Sequence, residues 1–510
     1  MALNAVERRL LDLRYQWEAF AEDPVPRMLA WTVPDGAMRL VRCFLEVQKH
    51  EGEYVTQDLF IVFDAPFEHA FQYSHALKEA LAGHYAASRE DLEREGHGSV
   101  WNVDPASFPE SAYGFIQALR SLGGAYHNAI GHLVAVFAPA SVSKDTLFAA
   151  WLARTLEAGL PERLRILVLD SLETPRLTEF RPADPTLLKR ETLALDATAI
   201  ATETFAQERT VGPAGLFRNM LMALVALVEK APLAQVIAKG TDALTFVRAQ
   251  GWKDQEAVVA MLVAGAMLKE KRFDAAVGTY RNGRAAAVSA AQEGHPAAQA
   301  LVLQTWFGEA GVQLAAGRTA EAAAAYEQAA VVAQEARNTI LAIEAFRMAA
   351  FCHARLDDRA AAIDRGGLAL TAGERLKPEA RIMTTLPLAA ADLLRVLDTD
   401  RADAIETVRT RAGERYDALA ASLDAHAARH ERTVDPGAFR KAEDTLEQHQ
   451  VSAARIAERE LLAVMGAASP AFQQVFGRAR GLLGREWPLW PPVSLDDPLP
   501  AGAPRELAAT

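Results

Sequence analysis

The chain has 510 residues, half of them hydrophobic, with 54 Lys and Arg against 66 Asp and Glu and a formal net charge of −12. That length provides for two to four domains with real cores, and the negative balance argues against a nucleic-acid partner, which demands a clustered basic face. No window reaches the ~18 uninterrupted apolar residues of a membrane span, the first twenty residues lack the apolar core of a secretory leader, and the two cysteines, Cys43 and Cys352, are expected as buried small hydrophobes in a reducing compartment. The expectation is therefore a cytoplasmic protein without a membrane partner, and the alanine- and arginine-rich composition is that of a GC-rich bacterial genome.

Through residue 210 short apolar runs alternate with amphipathic stretches. Four predicted strands stand out, Met28 to Val33, Leu59 to Phe63, Leu133 to Phe137 and Arg165 to Leu169, with a weaker fifth at Thr192 to Leu195. They are unalternated and bounded by Pro, Asp or Gly, as strands buried on both faces are. Predicted helices lie between them, among them Met38 to Lys49 and Lys144 to Ala158. Strand and helix in alternation predict an α/β domain whose mostly parallel sheet carries helices on both faces.

Beyond Phe205 strand signals stop. Leu216 to Lys230 has more apolar residues than one helix face needs, which predicts deep burial. From 252 to 375 one pattern recurs: Lys271-Arg272-Phe273-Asp274-Ala275-Ala276 with Tyr280, Gly317-Arg318-Thr319-Ala320-Glu321-Ala322 with Tyr326, and Asp357-Asp358-Arg359-Ala360-Ala361-Ala362 with Gly366. Ala264, Ala310 and Ala350 fall twelve residues before the last alanine of each copy. A turn followed by a small residue and a bulkier one describes a helical hairpin, and stacked hairpins make an all-α solenoid. Residues 396–482 are charged on most faces and predict long surface helices; 483–510 form a Pro-rich tail holding Trp487 and Trp490, large aromatics expected to dock on the solenoid or on a partner. The predicted domains are 1–210, 211–395, 396–482 and the tail.

The repeated pattern resembles tetratricopeptide repeats, in which a small residue of helix A packs against an alanine and an aromatic of helix B. The copies are 46 and 40 residues apart, longer than the family's ~34, and the third lacks the aromatic. The α/β portion resembles the P-loop NTPase domains found beside helical repeats in bacterial signalling proteins: a helix precedes the first strand, LVAVFAP stands where the metal-binding strand would be and RILVLDS where the sensor strand would be. The phosphate cradle is degenerate, because Pro34-Asp35-Gly36-Ala37-Met38-Arg39 offers one glycine, no lysine and no hydroxyl, and Ala138-Pro139-Ala140 replaces the acidic pair. Arg39 is the one residue there suited to contact an anion.

The resemblance to the repeats implies a protein-binding adaptor, scaffold or dedicated chaperone; the residues themselves offer no catalytic, cofactor or metal signature, and a small-molecule partner is not expected. Its partner-binding candidates from the repeat register are Lys269, Gln304, Phe307, Gln313, Arg347 and His353. Two alternatives stay open: a nucleotide-sensing switch, and an α/β enzyme using Asp64 or Asp170, which follow predicted strands where open sheets present ligand groups but where aspartates also cap helices. His426 and His430 share a helix face at ligand spacing, yet lack a third ligand; His127 and His132 flank a glycine that aims them apart.

Overall fold

The computed structural model describes residues 3–50, 52–94, 96, 101–196, 199–200, 203–204, 212–432 and 436–489, without the side chains of 436–440 and 442–443. The chain divides into two compact units, Met1–Gln207 with Glu414–Ser452 and Glu208–Gly413 with Ala453–Pro498. The charged stretch 396–482 is thus shared between both units.

In the first unit, helix α1 (Ala5–Ala21) opens on a reciprocal cap: Glu7 N donates to Asn4 Oδ1 at 2.9 Å, and Asn4 N donates to Glu7 Oε2 at 2.7 Å. Five parallel strands follow, β1 (Met28–Val33), β2 (Leu59–Phe63), β3 (Leu133–Phe137), β4 (Leu164–Ser171) and β5 (Leu188–Thr192), in the order β2-β3-β4-β1-β5. Period-two alternation gives each face of the sheet its own core. Met28, Ala30, Ala135, Phe137 and Ile166 face α3 (Ala70–Arg94), α4 (Ala112–Ala125) and α5 (Asp145–Glu157), where Phe115 and Trp151 are fully buried. Leu29, Trp31, Val134, Val136 and Leu167 face α1 and α2 (Met38–Val47), against Trp17, Phe20 and Phe44. Each of the larger aliphatic and aromatic side chains among these contributes ~1.5–3 kcal/mol on burial. The mostly parallel α/β sheet expected from the sequence, with helices on both faces, is what forms.

Two local expectations are corrected. The fifth strand lies four residues earlier than expected, at Leu188–Thr192; its polar sequence LKRET pairs only with β1 at the sheet edge and carries no buried-strand signature. Cys43 is exposed: the apolar face of α2 is built from Val41, Phe44 and Leu45, and Cys43 projects beside Arg42 on the outer side. Cys352 is buried, and burial pushes its thiol up to about 11.

The second unit is a run of helices: α6 (Pro213–Lys230), α7 (Leu233–Gln250), α8 (Lys253–Lys269), α9 (Phe273–Gln292), α10 (Ala298–Ala315), α11 (Thr319–Glu335), α12 (Thr339–Arg355), α13 (Arg359–Gly373), α14 (Leu386–Leu397) and, at the chain's end, α17 (Pro470–Leu483); the long α15 (Thr399–Arg429) and α16 (Pro436–Gly466) contribute to both units. The first of them is less buried than its composition predicts. Only Gly215, Phe217 and Leu224 of α6 are inaccessible, and Leu216 is 54% exposed, because α6 begins the stack and packs mainly on α7 and α8.

From α7 to α12 successive helices are closed by one recurring device. Gly251, Lys271, Gly294, Gly317, Arg337 and Asp357 each adopt the left-handed conformation one residue or two past a helix. At each turn two amides reach back: Lys271 N to Leu268 O and Arg272 N to Met267 O, and likewise Arg337 N to Gln334 O and Asn338 N to Ala333 O. This is the Schellman closure, which satisfies the last carbonyls of the helix. Turns fall 20 to 23 residues apart (251, 271, 294, 317, 337, 357), so the hairpins are long because their helices are long. At three of these turns a side chain bears the strain of positive φ, with Lys271 at 56°, Arg337 at 54° and Asp357 at 59°. Lys271→Gly and Arg337→Gly are each expected to stabilise the array by ~1 kcal/mol, read as a higher denaturant midpoint; Asp357→Gly should give less, since aspartate tolerates this conformation.

The register alanines are where the hairpin reading requires them. Ala264, Ala276, Ala310, Ala322 and Ala362 are fully buried and Ala350 nearly so. Tyr280 lies across Gly308 of the following hairpin so closely that a methyl group at 308 would overlap the ring, whereas nothing lies within 4 Å of the corresponding point at Gly311. Gly308→Ala is therefore expected to cost ~1–3 kcal/mol while Gly311→Ala, three residues along the same helix, gains up to ~1 kcal/mol. Thermal melts of the two variants check this contrast.

Candidate functional sites

In an open parallel sheet a ligand site forms beyond the carboxyl ends of the strands, where the chain reverses its direction of winding. Here that point lies at the ends of β1 and β4, because β2 is laid down at the far edge and β5 on the other side of β1. The chain itself fills it. Asp35 N, the amide that would face an anion at the start of the turn before α2, donates to Glu173 Oε2 at 2.8 Å, and Ser171 Oγ donates to Asp35 Oδ1 at 2.7 Å. Thr174 N closes the loop on Ser171 Oγ. Two carboxylates thus occupy the place where a phosphate would have to bind, and Arg39 lies exposed outside it.

The two strand-end aspartates have different fates. Asp170 is buried and accepts three backbone amides, from Ser171 at 3.1 Å, Arg176 at 2.9 Å and Leu177 at 3.1 Å, so its oxygens organise the loop after β4. That loop, rather than a helix, is what it caps. Asp64 is exposed, and its backbone carbonyl accepts from Ala140 N. His132 belongs to a further structural cluster at the opposite end of β2: Asp58 accepts its ring nitrogen at 3.0 Å and Trp17 Nε1 at 2.7 Å. Burial raises the Asp58 carboxyl, and these hydrogen bonds outweigh it, holding the group below the usual range. His127 Nδ1 meets the carbonyl of Gly124. His426 and His430 do share a face, with ring centroids 4.5 Å apart, and His426 packs on Phe71. Among the described residues no three His, Cys, Asp or Glu side chains gather as a metal site.

The six array candidates separate into two kinds. Lys269 and Gln304 are exposed, with Lys269 Nζ reaching Glu229 O at 3.2 Å. Phe307 is half-buried against Tyr326, 5.9 Å between centroids, and Gln313 is only 4% exposed and unable to meet a partner. Arg347 is held by Glu344 at 2.7 Å and Asp392 at 3.3 Å. His353 lies between Glu327, 3.1 Å from Nε2, and Asp358. Burial raises the Glu327 carboxyl, but Arg365 at 2.7 Å and His353 more than reverse that and hold it below the usual range. These residues all lie on the first helices of their hairpins, α8, α10 and α12, and the sequence register missed the charges that neighbouring hairpins supply. It also missed Glu309, 3% exposed, which accepts from Arg281 and Arg284 while Arg284 lies 3.4 Å over the Trp306 ring.

Cavities open between the helices of this unit, and two of them exceed 500 Å³ among the described residues. One of 660 Å³ lies among α12, α13 and α14, lined by Phe351, Arg355, Arg359, Leu393 and Arg395. The other, of 570 Å³, is mostly apolar and lined by Leu388, Ile405 and Trp487. Trp487 packs on Phe476, 6.0 Å between centroids, which docks the start of the tail on the chain's own helices; Trp490 lies outside the described residues. The fold defined here is a parallel α/β unit followed by a solenoid-like run of helices. No protein-family model matches this chain, and no curated protein matches it either.

Proposed function

We propose that the helical array is a protein-binding surface of the tetratricopeptide kind and that the chain works as an adaptor, scaffold or dedicated chaperone in the cytoplasm, without a catalytic step of its own. The observation that carries this reading is the repetition: three hairpins, each closed by the same left-handed turn, each packing a buried alanine pair, and leaving Gln304, Lys269 and Phe351 exposed. A stack of this kind presents an extended surface whose accessible side chains vary while its buried ones repeat. The α/β unit fits a P-loop-like scaffold that has lost its phosphate cradle, because Glu173 and Asp35 stand where the nucleotide's charge would have to be.

Affinity capture of the intact protein from its native lysate tests the proposal, with nucleotide analysis of the denatured sample in parallel. The expected result is a stoichiometric protein partner released by Gln304→Glu with Lys269→Glu. A nucleotide without a protein would reject it and favour the nucleotide-sensing switch.

A further inference from the structure

The third hairpin departs from the other two at one position. Where they have Tyr280 and Tyr326, it has Gly366, and a methyl group there would come within 2.9 Å of Leu393. The ring is missing, α14 moves its leucine in, and beside it the 660 Å³ cavity opens, inside the ~300–1,000 Å³ range of ligand sites. Its lining is not neutral. Four arginines, 347, 355, 359 and 395, stand against two aspartates, 357 and 392, on a chain whose own net charge is −12. Arg347 already spends its charge on Glu344 and Asp392. Arg355 and Arg359 have no carboxylate within ion-pair distance among the described residues: Arg355 lies 5.7 Å over the ring of Phe351, and Arg359 reaches the carbonyl of Leu397. Arg395 pairs with Asp403, but both side chains are more than half exposed, so the pair is easily exchanged.

Resting on the reading of the array as protein-binding, we infer that this groove takes a short acidic segment of the partner that carries one large apolar side chain. The geometry favours a segment over a single small anion. Arg347, Phe351 and Arg355 recur every four residues along one face of α12, a stripe of about 12 Å, which matches about four residues of extended chain. An apolar side chain has Phe351, 37% exposed, and Leu393 to lie on, while flanking carboxylates meet Arg355, Arg359 and Arg395 in forks suited to them.

The test uses the full-length protein and three fluorescein-labelled hexapeptides: Glu-Glu-Trp-Glu-Glu-Asp, the same sequence with Gln and Asn for the acids, and the same acidic sequence with Ser for Trp. The acidic Trp peptide is expected to bind at least tenfold more tightly than either control and to weaken as salt rises. Arg355→Glu with Arg395→Glu, both exposed, should abolish that binding at an unchanged melting temperature. Equal binding of the Gln peptide, binding unchanged in the double variant, inorganic phosphate competing at equal concentration, or no binding at millimolar peptide would each overturn the inference. If the double variant still captures the lysate partner stoichiometrically, the array binds protein elsewhere, and only the groove assignment falls; if the wild-type protein captures none, the broader reading falls with it.

Discussion

Asp424→Ala is expected to cost the α/β unit about 3 kcal/mol, the low end of the range for breaking a buried pair. Asp424 lies on α15, in the stretch whose composition predicted a solvated surface helix, yet it is 7% exposed. Arg154 of α5 holds it with two bonds, Nη2 to Oδ1 at 2.7 Å and Nη1 to Oδ2 at 3.2 Å. Ala427, one turn on, is buried in the same core as Phe115 and Trp151. Removing Asp424 strands the guanidinium, leaving it Glu431 at 3.7 Å, which keeps the loss from the upper end. The reverse variant, Arg154→Met, strands two carboxylates and should cost at least as much. Replacing both as Arg154→Met with Asp424→Leu is expected to come back to within ~1 kcal/mol of wild type, since apolar packing often equals a buried ion pair. A double-mutant cycle by chemical denaturation measures this; single variants within 0.5 kcal/mol of wild type would show the pair to be solvent-screened.

The second large effect is on acid stability. His69 stands immediately before α3, 4% exposed, and burial holds its imidazole down at about 4 from an ordinary 6.5, with the Asp424 carboxylate pulling weakly the other way. The native protein therefore keeps this histidine neutral through a range in which the unfolded chain protonates it. Its contribution is present in full above pH 6.5 and is lost as the pH falls towards 4. A depression of that size corresponds to about 3 kcal/mol. His69→Gln should remove this part of the pH dependence and flatten the stability profile between pH 6.5 and 4, while Asp424→Ala, by withdrawing the one opposing charge, should steepen it. Denaturation midpoints measured at half-unit pH steps decide it, and parallel profiles for wild type and His69→Gln would refute the assignment.

How much of this was legible in the sequence depended on whether the signal was local. β1, β2 and β3 fall at their predicted bounds because strands buried on both faces are written as unbroken apolar runs. The turns at Lys271, Gly317 and Asp357 were visible as a recurrence, and they are the same left-handed closure three times. What escaped was long-range. Glu173 closes the turn at Asp35 from 138 residues away, and nothing in either segment announces the other. Arg154 and Asp424 are 270 apart, so a helix that reads as solvated is in fact anchored. The polar edge strand β5 owes its existence to the free side of β1 rather than to its own composition. In the array, Gln313 and Arg347 lie on α10 and α12, but which flank meets solvent depends on the neighbouring hairpin, and that is not a property of one repeat. Gly366 was noted as a missing aromatic; that the gap is lined by arginines from α12 and α14 needed the packing.

The most direct test of the central claim is site-specific photo-crosslinking of the intact protein in its native cells, with the photoreactive residue placed at Gln304 or Phe351 on the array and, as a control, at the exposed Tyr15 on α1. The account predicts one dominant protein adduct from both array positions and none from Tyr15. Adducts of equal yield from all three positions, or none from Gln304 and Phe351, would contradict it.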